Sequence, residues 1–199
     1  MMDYQTAVRG AFFDIAGVAE TPDEVAAQAR YLDDGLLFLQ EGKIIALLPW
    51  QQGDAFLHPL KGYVDLRGKL LLPGFVDAHV HYPQTEMIGA FGEQLLEWLT
   101  TYTFPVESQF ADAEYAQEIA QFFVNQLISH GTTTALVFCT LHPASVEALF
   151  SEALRLNMRL IAGKVMMDRH VPDYLCETAG ESYEQTRALI RRWHQRGRL

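Results

Sequence analysis

From residue 70 onward, short apolar segments alternate with amphipathic segments of helical period, and this alternation restricts the fold more than any other feature of the sequence. Stretches typical of buried strands occur at 70–81 (LLLPGFVDAHVH), 132–140 (TTTALVFCT) and 159–168 (RLIAGKVMMD). Segments with helical spacing occupy 93–104, 113–131, 144–157 and 182–197. Because strands that alternate with helices form parallel sheets, we predict an α/β protein with three β/α units, of either a doubly wound sheet or a (β/α)₈ barrel.

Residues 1–68 have a different sequence pattern, in which short apolar stretches alternate with turn residues. The sequence QEGK at 40–43 separates LLFL from IIALL, a pattern typical of a β-hairpin whose glycine adopts positive φ. We therefore divide the chain into a β-rich module, 1–68, and a β/α region, 69–199. A complete barrel takes about 250 residues, so we expect the second region to be the first part of a longer barrel.

The composition is that of a globular protein with an acidic balance of charge. Of the 199 residues, 49% are hydrophobic, and the formal net charge is −10. Such a charge repels polyanions, so we expect neither nucleic acid nor a membrane surface as a partner. Cys139 and Cys176 form no disulfide framework, and no segment reaches the roughly 18 consecutive apolar residues of a membrane span. We expect a cytoplasmic protein.

Two histidines stand at alternate positions at the end of the first predicted strand. Residues two apart on a strand point to one face, so Asp77, His79 and His81 are predicted to share a face. In parallel α/β folds, ligands bind at the carboxyl ends of the strands, which is where both histidines lie. Imidazole suits zinc, iron, nickel or copper. The spacing leaves open whether the pair binds a metal or is structural, and a catalytic zinc needs a third protein ligand.

Other side chains near the predicted rim could join a site. Gln84 follows the histidines with an amide that both donates and accepts hydrogen bonds, which suits the edge of a nitrogen heterocycle. His142 and His170 follow the second and third strands and are alternative metal ligands.

The third predicted strand and the last helix carry two further signals. Lys164, Met166 and Asp168 are predicted to share a strand face, where the lysine is either a metal-bridging modified residue or part of an internal ion pair. Ser182 and Gln185 have the spacing of a capping box and predict the start of the last helix.

The stretch LLLPGFVDAHVH resembles the first barrel strand of the amidohydrolase superfamily, metal-dependent hydrolases built on a (β/α)₈ barrel with a small β-sandwich. By this resemblance, residues 1–68 are the N-terminal part of a composite β-sandwich domain, and 69–199 are the first portion of the barrel. The stretches HYPQ, LLEWLTTYTFP, GTTTALVF and GKVMMD are more specific and are similar to the guanine deaminases within the superfamily. The similarity covers nearly the whole chain.

The resemblance implies zinc-dependent hydrolytic deamination of guanine to xanthine and ammonia, a step of purine catabolism. His79 and His81 match the first two zinc ligands of these enzymes, with one Zn²⁺ per active site. Gln84 matches the amide that hydrogen-bonds the purine, and His81, Tyr82, Pro83 and Gln84 together match the segment that walls the substrate. The resemblance also implies a homodimer for the full-length protein.

The family's remaining zinc ligands, its proton-shuttling glutamate and the Arg-Phe pair that clamps guanine come from later strands and match no position up to Leu199. The resemblance therefore assigns no catalytic residue to this chain, and we expect the chain alone to be inactive and to bind zinc weakly. Two alternatives stay open. One is an amidohydrolase that acts on another aminated or chlorinated ring, and the other is a non-catalytic, shortened relative that serves as an interaction subunit.

Overall fold

The computed structural model describes residues 3–58, 61–92 and 94–199. The chain divides into two compact units, Met1–Pro73 and Gly74–Leu199. Strands dominate the first unit, whereas the second alternates parallel strands with helices, which confirms the predicted series of β/α units.

One four-stranded sheet, ordered β3-β2-β1-β4, builds the first unit. Its strands are β1 (Thr6–Ile15), β2 (Ala29–Gln40), β3 (Lys43–Pro49) and β4 (Val64–Leu71). β2 pairs antiparallel with β1 and β3, whereas β4 runs parallel to β1. The helical segments are α1 (Pro22–Gln28), α2 (Trp50–Gly53) and a 3₁₀ turn (Asp54–Phe56). The predicted hairpin is confirmed, because Glu41 and Gly42 between β2 and β3 have φ angles of 49° and 72°.

A parallel sheet ordered β5-β6-β7 forms the centre of the second unit. Its strands are β5 (Phe75–His81), β6 (Thr132–Phe138) and β7 (Arg159–Gly163). Its helices are α3 (Leu95–Trp98), α4 (Phe104–Gln109), α5 (Ala113–Ser129), α6 (Pro143–Arg155) and α7 (Ala179–Trp193). A π-helical turn (Leu99–Thr103) joins α3 to α4, and 3₁₀ turns occur at Tyr82–Met87 and Asp173–Leu175. None of the helices in the described residues is long and apolar enough to cross a membrane.

Each unit has its own hydrophobic core. In the first unit, the buried residues Tyr4, Ala7, Leu36 and Phe38 form one cluster. In the second unit the core includes one face of β6 and the inward faces of α5 and α6, with the buried residues Ala135, Val137, Ile119, Ala120, Phe123, Val124, Val146, Leu149, Phe150 and Ala153. Full burial of a large apolar side chain contributes about 1.5–3 kcal/mol. The rings of His81 and Phe138, described below, lie on the other face of the parallel sheet.

The stretch LLLPGFVDAHVH, predicted as one buried strand, forms two strands in different sheets, so that prediction is wrong. β4 ends at Leu71 and β5 begins at Phe75. Pro73 between them has no N–H to donate to a sheet. Gly74 lies so close to β6 that an added Cβ would come within 1.9 Å of the Thr133 hydroxyl oxygen. Pro73 therefore cannot extend the pairing of β4 through an N–H, and Gly74 lies where a side chain would not fit.

Both ends of α5 carry residues that are typical of helix termini. The Asp112 carboxylate accepts hydrogen bonds from the backbone N–H groups of Glu114 at 2.8 Å and Tyr115 at 3.3 Å. Gly131 follows the helix with φ of 88°, a backbone conformation that favours glycine.

The third strand is shorter than predicted, because β7 ends at Gly163. Lys164, Met166 and Asp168 therefore share no strand face, and that prediction is wrong. Lys164 turns into the interior, where its ammonium lies 2.5 Å and 2.7 Å from the two carboxylate oxygens of Glu177. Of the two interpretations of this lysine, the internal ion pair is the one that the structure shows.

The last helix starts earlier than predicted. The capping box that begins α7 consists of Thr178 and Glu181, not of Ser182 and Gln185. Ser182 lies within the helix instead, and its hydroxyl oxygen accepts a hydrogen bond from Lys164 at 3.2 Å. The Ser182 hydroxyl, predicted to cap the helix, therefore accepts a hydrogen bond from the lysine of the buried ion pair.

Candidate metal and substrate site

His79 and His81 lie at the carboxyl end of β5, and the centroids of their rings are 5.2 Å apart. Zinc binds an imidazole nitrogen at about 2.0–2.1 Å and arranges its ligands tetrahedrally. With each ring centre roughly 1 Å behind its nitrogen, two imidazoles on one zinc have centroids about 5 Å apart. The observed separation fits a shared metal ion, so these residues could supply two of its ligands.

A break in strand register contains His79 and precedes His81. The pairing of β5 with β6 shifts between Asp77 and Val80, which marks a β-bulge. Asp77 is paired with a residue on the core face of β6, whereas His81 is paired with Phe138 on the opposite face. Asp77 therefore does not share a strand face with His81, contrary to the prediction from simple alternation. Its carboxylate accepts a hydrogen bond from the backbone N–H of His79 at 3.0 Å and so stabilises the bulge.

Phe138, the last residue of β6, also contacts the histidines, although the sequence alone did not point to it. Its ring is stacked on that of His81, with a centroid distance of 4.8 Å and an interplanar angle of 15°. The same ring lies 5.0 Å from the ring of His79. The strand order could have pointed to it, because the ends of neighbouring parallel strands meet at one edge of a sheet.

The electrostatic setting of His81 favours its uncharged imidazole. Burial lowers the pKa of His81 from its usual value, and the neighbouring His79 lowers this pKa further. A neutral imidazole keeps a lone pair that a metal ion can accept. Neither ring forms a hydrogen bond to any part of the chain that the structure describes.

The turn after β5 is held in place by a buried tyrosine. The Tyr82 side chain is fully buried, and its hydroxyl lies 3.2 Å from the carbonyl oxygen of Ser145 and 3.3 Å from that of Ala116. The Thr85 hydroxyl donates a hydrogen bond to the Tyr82 carbonyl at 2.6 Å. Pro83 is buried as well. The Tyr82 side chain therefore anchors the turn, and a role of Tyr82 and Pro83 in walling a substrate through their backbone stays a prediction.

A second tyrosine fastens the other end of the same turn. Tyr115, in the first turn of α5, donates a hydrogen bond from its hydroxyl to the carboxylate of Glu86. Burial and this hydrogen bond raise the pKa of Tyr115, so its hydroxyl keeps the proton that it donates. Gln84 thus lies on a short turn that is fixed at both of its ends.

Gln84 and the two histidines line one cavity of about 850 Å³. Trp98 forms part of its apolar wall, and the indole N–H of Trp98 donates to the carbonyl of Ala90 at 3.1 Å. Cavities of about 300–1,000 Å³ with a few polar groups bind small molecules. The structure thus brings together the predicted metal ligands and the predicted heterocycle-binding amide, whose roles stay predictions.

The alternative ligands His142 and His170 do not join this arrangement. His170 lies in an exposed loop with φ of 58°, and His142 precedes α6, where burial lowers its pKa. Over residues 3–58, 61–92 and 94–199, no three side chains of His, Cys, Asp or Glu are grouped to hold a metal ion. These residues offer two of the three protein ligands that a catalytic zinc requires.

The fold and this site define a class of protein. The model of the amidohydrolase family matches residues 70–197, and the chain belongs to that family. Guanine deaminase from Escherichia coli (strain K12) is 54% identical over 193 residues, which are 97% of this chain and 44% of that relative. A solved structure of E. coli guanine deaminase has a TM-score of 0.93 and is matched over 98% of this chain and 45% of that one.

More distant structures extend the comparison. A guanine deaminase from C. acetobutylicum, solved with bound guanine in the active site, is 27% identical with a TM-score of 0.81, over 96% of this chain and 43% of that one. An atrazine chlorohydrolase from Arthrobacter aurescens, complexed with zinc, is 19% identical and shares the fold with a TM-score of 0.72, over 96% of this chain and 43% of that one. The chain thus spans less than half the length of these relatives. The predicted resemblance to amidohydrolases and guanine deaminases, and the barrel class, are confirmed.

Proposed function

We propose that this chain provides the first pair of metal ligands and one wall of the substrate site of a zinc-dependent guanine deaminase. The observation that carries the proposal is the approach of the His79 and His81 rings to 5.2 Å beside Gln84 in a single cavity. The 54% identity to E. coli guanine deaminase supports guanine as the substrate.

In this proposal each residue has a defined task. A zinc ion bound by the two histidines would lower the pKa of its water to about 7 and so make hydroxide available at neutral pH. His79 and His81 would hold the ion through their ring nitrogens. The Gln84 amide donates to and accepts from the edge of the purine and so orients it. Water then replaces the 2-amino group of guanine, and the products are xanthine and ammonia.

The site needs more groups than the described residues offer. A third protein ligand for zinc and a group that moves protons would have to come from other residues. We therefore infer that the chain by itself binds zinc weakly and leaves guanine unchanged. Turnover of guanine by the purified 199-residue chain at an enzyme-like rate would overturn this inference.

Calorimetric titration with Zn²⁺ tests the ligand pair. His79→Ala and His81→Ala should each weaken binding at least about 10-fold, because a lone imidazole cannot chelate the ion. His170→Ala is the matched control, since it removes an exposed histidine outside the cavity and should not change the affinity. Equal affinities for all three variants would refute the proposed ligands.

A chimera tests the substrate. This chain would replace the matched part of E. coli guanine deaminase, which covers 44% of that enzyme. The chimera should deaminate guanine, and Gln84→Ala should raise its KM for guanine because one edge of the purine loses its partner. A preference for another aminated or chlorinated ring would favour the alternative amidohydrolase, and a folded but inactive chimera would favour a non-catalytic subunit.

We infer in addition that the complete enzyme is a cytoplasmic homodimer whose ligand is guanine, with neither nucleic acid nor membrane as a partner. The net charge of −10 supports the exclusion of polyanions, and the family resemblance supports the dimer. Light scattering measures the oligomeric state, and cell fractionation measures the location. A monomer or a membrane-bound enzyme would overturn the corresponding part.

A further inference from the structure

We propose that Phe138 is a positioning residue, which holds the imidazole rings of His79 and His81 in the orientation that one metal ion requires. The inference rests on the proposed function, because it assigns both rings to a metal. It adds a residue to the site that is neither a metal ligand nor a contact of the substrate.

The contact geometry singles out Phe138. It ends β6 directly opposite His81, so both side chains leave the sheet on the same face. Its phenyl ring lies 4.8 Å from the His81 ring and 5.0 Å from the His79 ring, with interplanar angles of 15° and 48°. One flat surface therefore touches both imidazoles at once.

The two histidines need such a support. Alternate residues on a strand are about 7 Å apart, whereas these rings have closed to 5.2 Å. The rotation of an imidazole about its last side-chain bond is only loosely restricted. Without a neighbour, the rings would sample orientations in which their nitrogens point to different places.

The usual support is missing from the part of the chain that the structure describes. Metal-binding histidines are generally oriented by a hydrogen bond from the second ring nitrogen to a carboxylate, a carbonyl or a water. Among residues 3–58, 61–92 and 94–199, no such partner contacts either ring, and the aromatic contact with Phe138 is what both rings share. We infer that the phenyl ring performs the task that a hydrogen bond performs elsewhere.

Leu136 provides a matched control, because it lies two residues before Phe138 on the same face of β6. It is 37% exposed, is apolar and has no ring contact with the histidines. If Phe138 served only to fill space on this face, truncation of Leu136 and replacement of Phe138 by an aliphatic residue would have similar effects.

The first experiment uses the metal-free chain and NMR spectra of the histidine ring protons. In the wild type, the ring current of Phe138 should displace these protons from their positions in an unfolded peptide. Phe138→Leu should remove the part of the displacement that the phenyl ring causes, whereas Phe138→Tyr and Leu136→Ala should retain it. A wild-type spectrum without displacement would overturn the proposal, and this result needs no variant to fold.

The second experiment measures Zn²⁺ affinity by calorimetry. Phe138→Leu should weaken binding about 10-fold, the lower end of the effect of removing a residue that orients a metal ligand. Phe138→Tyr and Leu136→Ala should bind as the wild type does, and Phe138→Met serves as a second aliphatic variant if Phe138→Leu does not fold. Unchanged affinity in the folded aliphatic variants would overturn the proposal. If the wild type binds no zinc, the proposed function fails, and the metal-free spectra still decide whether Phe138 orients the rings.

Discussion

Replacing Lys164 with methionine should destabilise the second unit by about 3–5 kcal/mol. The side chains of Lys164 and Glu177 are 0% and 5% exposed. The ammonium lies 2.5 Å and 2.7 Å from the carboxylate oxygens of Glu177 and 3.2 Å from the Ser182 hydroxyl, so all three of its N–H groups have acceptors. Lys164→Met removes the cation and leaves a buried carboxylate without a counter-charge, which is the costly part of the change.

A double variant separates this cost from the loss of packing. Replacing both members of a buried ion pair by apolar residues of similar volume is often neutral or stabilising. Lys164→Met combined with Glu177→Leu should therefore recover most of the loss. The Ser182 hydroxyl would still lack its partner, which costs about 1 kcal/mol. The double variant should thus be more stable than Lys164→Met by about 2–4 kcal/mol.

Urea unfolding followed by circular dichroism and tryptophan fluorescence measures these differences. Arg187→Met is the control, because its ion pair with Glu184 is 44% and 65% exposed and should contribute less than about 0.5 kcal/mol. The reasoning is refuted if Lys164→Met costs no more than the control, or if the double variant is less stable than Lys164→Met.

Two further predictions concern the buried carboxyl of Glu107 and the close approach of Gly74 to Thr133. Burial raises the pKa of Glu107 to about 7, whereas an unfolded glutamate titrates at about 4.3. Between these pH values the folded state binds a proton that the unfolded state releases, so the free energy of unfolding should fall by about 1.4 kcal/mol per pH unit as pH rises. Glu107→Gln should make the urea midpoint less dependent on pH over this range. An unchanged pH dependence would contradict the raised pKa of Glu107. Gly74→Ala should destabilise by about 1–3 kcal/mol, because its Cβ would come within 1.9 Å of the Thr133 hydroxyl oxygen. Gly163→Ala is the control and should leave the stability unchanged, because no atom lies within 4 Å of its added Cβ. Equal thermal midpoints for the two glycine variants would contradict the steric explanation.

The local sequence indicates where α5 begins but not where α7 begins, and the difference has a physical reason. At α5, Asp112 is the residue that caps the helix, so the local pattern and the structure agree. At α7, both Thr178 with Glu181 and Ser182 with Gln185 have capping spacing. The choice between them depends on Lys164, whose buried ammonium binds the Ser182 hydroxyl. A contact across 18 residues leaves no trace in a local pattern.

The division of LLLPGFVDAHVH into β4 and β5 could not be predicted for a similar reason. An apolar run indicates burial, but it does not reveal which sheet each part enters. The run is interrupted at Pro73, and the break coincides with the close approach of Gly74 to Thr133. That contact depends on how β5 meets β6 and could not be predicted from either stretch alone.

Part of the candidate site could be predicted from the local sequence, and part of it depends on how β5 pairs with β6. The spacing of His79 and His81 and the position of Gln84 could be predicted, because alternation and strand ends are local properties. The bulge and the contact with Phe138 could not, since both arise from the pairing of β5 with β6.

It follows that the stretch LLLPGFVDAHVHYPQ is not by itself a zinc-binding unit. A peptide of these 15 residues lacks β6, so it has neither the bulge nor the phenyl ring that bring the imidazole centroids to 5.2 Å. Its backbone is also free, and each coordination geometry costs the entropy of ordering about 1–2 kcal/mol per residue. The peptide should therefore bind Zn²⁺ more weakly than the folded chain when both are titrated under the same conditions. Equal affinities would mean that pairing with β6 contributes nothing to the metal site.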